Sequence, residues 1–277
     1  MRSSLINHLW HYLPPTLPDH EERQITGADT RLFRSGRNIF LSPHFDDICF
    51  SLGALVNRVR SGLLVNIFTH GNFVAPRGDS AALLTPAEVR AIRSSEDRRF
   101  AEAVDLAFVD LGLEEPALRG RGSRDLRGLA DDLGQAFEPV HTLLASEFES
   151  ATGQPVNIFC PAGIGNHVNH VVMMKLMTAQ LDRLKEDVRV FFYEDLPYSS
   201  SSGARRRGLR RLIASAPGYK AVRIVADIGE QTEQKLRLMG CYPTQIHPFP
   251  KDLRRFSLST RAFAAPHEAL WEFRAVK

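Results

Sequence analysis

The stretch "NIFLSPHFDDICFSLGALVNRV", residues 38–59, decides how the chain reads. Asn38–Leu41 is a short apolar run that Ser42-Pro43 interrupts. His44, Asp46 and Asp47 follow, and from Asp47 to Arg60 the apolar residues recur with helical spacing, stopped by Gly62. The spacing therefore predicts a strand, a turn and a helix, with an imidazole and two carboxylates in the turn. Capping accounts for one aspartate, because a carboxylate accepts the free backbone N–H groups at a helix start. It does not account for the second aspartate or the histidine. Adjacent carboxylates repel, and a cation nearby would offset that repulsion.

Working outward, strand-like and helical segments alternate. Leu64–Thr69, Leu106–Leu111, Val156–Phe159 and Val188–Tyr193 read as strands, and Pro86–Val104, Asp125–Ser150 and Val168–Lys185 as helices. Such alternation predicts a single Rossmann-like α/β domain, a mostly parallel sheet with helices on both faces. Its ligands are expected beyond the carboxyl ends of the strands. Residues 1–36 are polar and proline-bearing and read as an N-terminal arm, with the domain proper at residues 37–277. In the last third Ala221–Ile228 reads as a strand, Gly229–Leu238 as a helix and "HEALWEFRAVK" (267–277) as an edge strand. "SSSSGARRRGLRR" (199–211) reads as a flexible segment running into a basic helix face. Its serines are a candidate lid hinge, and its arginines either a solvated face or a contact for an anionic group.

The 277 residues are 43% hydrophobic and 24% charged with a net charge of +3, an ordinary globular balance. No aromatic-interleaved basic stripe points to nucleic acid. No apolar run reaches the ~20 residues of a membrane helix, and the N-terminus lacks the core of a signal peptide, so the expected location is cytoplasmic. Cys49, Cys160 and Cys241 are odd in number and far apart, which predicts reduced thiols rather than a disulfide or redox pair. A homo-oligomer is compatible with all of this.

A second stretch repeats the logic of the first. After Val156–Phe159 comes "CPAGIGNHVNHVVMM" (160–174), a glycine-bearing turn with His167 and His170 at a helix start. The bland reading is two helix-start residues bonding to loop carbonyls. Two such turns at strand carboxyl ends suggest instead one shared cleft. His and Asp with a later His form the ligand set of a catalytic zinc site, three protein ligands and one open position.

"SPHFDD" (42–47) and "GNHVNH" (165–170) resemble the two signature motifs of the PIG-L/LmbE-like zinc-dependent N-deacetylases, in the family's order. "RAIRSSED" (90–97), "LGLEEPALR" (111–119), "FYEDLPY" (192–198) and "KLRLMGCYPTQ" (235–245) resemble further segments. The resemblance implies His44, Asp47 and His170 as zinc ligands and Asp46 as general base. It implies His167 as the group that stabilises the oxyanion or protonates the leaving amine. Arg93 and Glu115 match positions that hold sugar hydroxyls, with Arg90 a rival on the same helix. The alternative for Arg93 is a surface ion pair with Glu96. The implied activity is hydrolysis of the acetamide of an N-acetylglucosamine-type sugar or its conjugate, by zinc-activated water.

The chain departs from the pattern at Ile48, where the family has glutamate, and at Gly165, where some relatives place a tyrosine. It departs also at Asn169, where the family's aspartate orients the catalytic histidine. Asn169 is accordingly expected to touch His167 or the substrate. Two other readings stay open: a metal- and sugar-binding homologue with weakened turnover, and a nucleotide-binding protein, against which stands the absence of G-x-G-x-x-G after the first strand.

Overall fold

The computed structural model describes residues 20–25, 30–74, 84–245, 251–252, 256 and 266–276. Most of the stretch read as an N-terminal arm, residues 1–19 and 26–29, lies outside them. Eight strands form one mixed α/β sheet: β1 (Glu21–Ile25), β2 (Arg37–Ser42), β3 (Leu63–Asn66), β4 (Ala107–Asp110), β5 (Val156–Pro161), β6 (Val188–Tyr193), β7 (Tyr219–Asp227) and β8 (His267–Ala275). Their order is β1-β7-β8-β6-β5-β2-β3-β4. All pairs are parallel except those of β8, which runs antiparallel to both neighbours.

Besides a single turn at Arg31–Arg34, the helices among the described residues are α1 (Asp47–Val59), α2 (Pro86–Ala103), α3 (Leu129–Ser150), α4 (Val168–Thr178), α5 (Ser202–Ala214) and α6 (Thr232–Met239). They cover both faces of the sheet. Successive strand residues alternate between two apolar cores, as the period-two pleat requires. Phe40, Leu64, Phe159 and Phe191 pack with α1, α2 and α6. Ile39, Leu41, Ile158 and Phe192 pack with α3, α4 and α5. Both faces being covered, β3 and β5 are buried end to end and β2 from Asn38 on, which is why they read as short, mostly apolar runs.

From β2 the chain steps outward through β3 to β4, then returns to β5 on the other side of β2. The order reverses between β2 and β5, and a crevice opens beyond their carboxyl ends at such a reversal. The two histidine-bearing turns follow these two strands.

The structure corrects three expectations. The C-terminal strand is not at an edge: β8 lies between β7 and β6. Its glutamates, which resemble the charges of an exposed edge, are paired internally. Glu268 accepts from Lys235 Nζ at 2.6 Å and from the amides of Ala54 and Leu55 at 2.9 and 2.8 Å, and Glu272 accepts from Arg189 Nε at 2.8 Å. The edges are β4 and, on the side of β8, β1, which lies in a polar segment that gave no strand signal. The serine stretch 199–202, read as a candidate hinge, is not a free polar loop either. Ser199 is fully buried and donates its N–H to Asp195 O at 2.8 Å, and Ser201 caps α5.

Nor is the whole basic run a solvated face. Arg206, Arg207 and Arg210 are exposed, but Arg205 is fully buried. Its Nε and Nη2 donate to Glu194, which also accepts from Arg223 Nε at 3.0 Å and Trp271 Nε1 at 3.0 Å. Burial alone would raise the Glu194 carboxyl, but the two guanidiniums outweigh it and hold the group well below the usual carboxylate range. Glu194→Ala is expected to cost about 3–5 kcal/mol, because it leaves two buried cations without their anion. With a depressed folded-state value, the stabilisation is complete above the unfolded-state carboxylate value of about 4.3 and is lost as pH falls through the native value. Denaturation midpoints of both proteins against pH check this: the gap between them should be widest near neutrality and shrink in acid.

Candidate active site

Five loops beyond strand carboxyl ends build the site. The β2–α1 turn brings His44, Asp46 and Asp47, and neither aspartate caps the helix. Asp46 occupies the cap position without a side-chain cap bond. Its Oδ1 accepts instead from Arg93 Nη2 at 3.1 Å. Asp47 Oδ2 turns back to accept the His44 amide at 2.8 Å and lies 3.1 Å from His44 Nδ1. The β5–α4 turn brings His167 and His170, one helical turn apart. His170 Nε2 comes within 3.3 Å of His44 Nδ1 and 3.3 Å of Asp47 Oδ2.

Three donor atoms thus stand 3.1–3.3 Å from one another. A tetrahedral zinc with bonds of about 2.0–2.1 Å separates its ligands by about 3.3 Å, so the spacing fits such an ion. His44, His167 and His170 also place one ring nitrogen each within 4.8 Å of the others. The two sets share His44 and His170 and differ in whether Asp47 or His167 is the third member. The Asp47 oxygen has the tighter spacing and brings a negative charge, and His167 keeps a buried Nδ1 with no partner.

The surroundings favour a cation at this point. Burial works against charge on His170, but Asp47 and Asp195 outweigh it and push the imidazole up to about 10. Asp195, fully buried after β6, holds His170 Nδ1 at 2.7 Å and accepts the Ile164 amide at 2.9 Å. A carboxylate there fixes the ring so that Nε2 faces the other donors. Burial would likewise raise Asp47, but His170 and His44 hold it well below its usual range. Burial, reinforced by His44 and His170, keeps the His167 imidazole well below its ordinary value. Burial raises Asp46, with Arg93 opposing.

Asn169 departs from expectation. It touches His44 rather than His167: its Nδ2 lies 2.9 Å from His44 Nε2, and its Oδ1 is buried without a partner. Turning that amide over lets Oδ1 accept from a His44 Nε2–H, which satisfies the orphan carbonyl and leaves the His44 Nδ1 lone pair facing Asp47 and His170. Of the rival arginines, Arg93 reaches the site, whereas Arg90 is engaged by Asp110 at 2.8 Å. Arg93 and Glu96 are both buried and form no surface pair, since Glu96 accepts from Thr244 Oγ1 at 2.6 Å.

His44, Asp46, Asp47, Arg93, Glu115 and His167 line one cavity of about 460 Å³. His170 and Asn169 are fully buried behind it. Tyr198, from the β6–α5 turn, joins the lining, 5.5 Å between ring centroids from His170. Gly165 makes room for it: φ is +91°, and a Cβ there would fall 2.4 Å from Tyr198 Cγ. The sequence reading missed Asp195 and Tyr198, both inside "FYEDLPY". An acidic residue directly after a buried strand, in the layer of the two histidine turns, was the available signal.

The chain is 28% identical over 216 residues to the 2'-N-acetylparomamine deacetylase of Streptomyces fradiae, across 76% of this chain and 74% of that one. It is a homologue of a deacetylase. A deacetylase from the teicoplanin biosynthesis pathway superposes with a TM-score of 0.65 at 19% identity, covering 87% of this chain and 99% of that one. The zinc-inhibited form of teicoplanin deacetylase gives 0.62 at 20% identity with the same coverage. These two likenesses establish a common fold. No protein-family model matches the sequence. Among the described residues no helix is long and apolar enough to cross a membrane.

Proposed function

We propose that this deacetylase homologue is a metal-dependent hydrolase that removes the acetyl group from the nitrogen of an amino sugar or its conjugate. We place it with the PIG-L/LmbE-like deacetylases on a Rossmann-like domain. The observation that carries the reading is the convergence of His44 Nδ1, His170 Nε2 and Asp47 Oδ2 within 3.1–3.3 Å beside Asp46. The similarity to a deacetylase of an N-acetylated amino sugar supports it.

His44, Asp47 and His170 would hold the ion. A divalent cation held there, zinc being the ion this donor set suits, would supply a water of lowered pKa, about 7, and polarisation of the acyl oxygen. Asp46 takes the proton of the attacking water; its partly exposed carboxylate faces the cavity and Arg93 fixes its orientation. His167 directs a ring N–H at the oxygen that gains negative charge. As the C–N bond breaks, the proton passes from Asp46 or His167 to nitrogen, giving acetate and a primary amine. Arg93 and Glu115 grip the sugar.

A panel of N-acetyl hexosamines and their glycosides, assayed for acetate and new primary amine in equal amounts, tests the reading. No acetate from any member by metal-loaded protein contradicts it. Asp195→Ala is expected to weaken metal affinity by about 10–100-fold without abolishing the site, because it frees the His170 ring rather than removing a ligand. Competition with a chelator of known affinity measures this; an unchanged constant would show that Asp195 does not support the ligand.

A further inference from the structure

The segment "KLRLMGCYPTQ" (235–245) contributes nothing to the metal cluster, yet its last residue, Gln245, lines the same cavity as His44 and Asp46. What holds it there is α2, which turns charge inward. Arg93, Glu96 and Asp97 are all buried, and at spacings of three and four residues they share one face of the helix. Arg93 reaches the cavity, while the two acids grip residues 241–245. Glu96 Oε1 accepts the Thr244 amide at 3.1 Å and Oε2 accepts from Thr244 Oγ1 at 2.6 Å. Asp97 Oδ1 accepts from the Tyr242 hydroxyl and Oδ2 from Asn66 Nδ2 at 2.7 Å. Arg99, also on α2, donates from Nη2 to Cys241 O at 3.1 Å. Every oxygen of the two buried acids thus has a donor, which offsets the cost of burying it. The Gln245 amide donates to Tyr242 O at 3.0 Å and closes the turn.

These bonds also fix which way Gln245 presents its side chain. Its Nε2 lies 3.3 Å from Thr244 Oγ1. A hydroxyl has one proton, and Thr244 gives it to Glu96. Thr244 Oγ1 can then only accept from Gln245, so the nitrogen faces Thr244 and the carbonyl oxygen turns away. That oxygen, Oε1, has no donor among the described residues and is not sealed in the interior. A neutral carbonyl on a cavity wall moves no proton and attacks nothing. It binds a donor, and a sugar ring presents hydroxyl donors.

We infer that Gln245 is a specificity residue, whose Oε1 accepts a hydrogen bond from a ring hydroxyl of the amino sugar. Glu96 and Thr244 are the positioning residues that aim it. The inference rests on the deacetylase reading. On it, α2 sets two substrate contacts, Arg93 directly and Gln245 through the grip on residues 241–245.

The test uses an N-acetylglucosamine glycoside and its monodeoxy analogues, each lacking one ring hydroxyl, with acetate release giving kcat and KM. Gln245→Met keeps the length of the side chain and removes the acceptor. It should lower kcat/KM for the parent glycoside about three- to tenfold, through KM, with metal content unchanged. One deoxy analogue should lose a similar factor with the wild type and nothing further with Gln245→Met, because both changes delete the same bond. Thr244→Val, which frees the amide, should weaken that coupling, and Thr244→Ser, which keeps the hydroxyl, should restore it. Losses that multiply for every analogue, or an unchanged KM in Gln245→Met, overturn this inference alone and leave the deacetylase reading standing. No acetate from the parent or any analogue with metal-loaded wild type removes the deacetylase reading and this inference with it.

Discussion

Asp46→Asn protein is expected to keep its metal and to lose about 10²-fold or more of its turnover, because a general base supplies that much and an amide cannot take a proton. The substitution preserves shape, and the carboxamide oxygen still accepts from Arg93, so the cavity should stand. Asp46 is free for this task because it is not a helix cap and its oxygens do not join the cluster of His44, Asp47 and His170. Metal content and acetate release, measured on the same sample, separate the possibilities. Loss of metal would make Asp46 a ligand. Undiminished turnover would mean that another group takes the proton.

The second large effect concerns which three side chains hold the ion. His44→Ala, Asp47→Ala and His170→Ala should each leave the protein without bound metal, since a three-ligand site loses its geometry with any one of them. His167→Ala should retain the metal and lose activity. The three histidines also cluster, so a His44, His167 and His170 set is the competing arrangement. Metal analysis of the four variants decides between them. Retention in Asp47→Ala together with loss in His167→Ala would give the third ligand position to His167.

The parts of the fold that are local were legible in the sequence. The strand, turn and helix around His44 and the turn before His170 show themselves through apolar period, a break at Pro43 and glycines, all within a few residues. Those local signals suffice to place the two turns on one rim. What depends on distant pairing was not legible. The insertion of β8 between β6 and β7 is set by contacts across the sheet, and its internally paired Glu268 and Glu272 resemble the charges of an edge. Arg205 looked solvated because three of its arginine neighbours are, yet its partner Glu194 is eleven residues back, just after β6.

The same division runs through the site. His44, Asp46, Asp47 and His167 were singled out by type and spacing, and they do meet at one cavity. Asp195 escaped because an acid just after a strand, next to Glu194, is a weak signal beside the spaced histidines and aspartates; only the fold brings it 2.7 Å from His170. Asn169 was expected to serve His167, two residues earlier. On a helix, however, residues two apart point to different sides. Its amide therefore reaches His44, so the departure from the family's aspartate bears on a proposed metal ligand and not on the acid.

The most direct test of the central claim is a titration of metal-free protein with zinc, or another divalent ion, while acetate release from an N-acetylated amino-sugar conjugate is recorded. The account expects no release without metal, then a linear rise that breaks at about one equivalent per chain, since the donor set makes one three-ligand site. Full acetate release from the metal-free protein, or none at any loading, would contradict it.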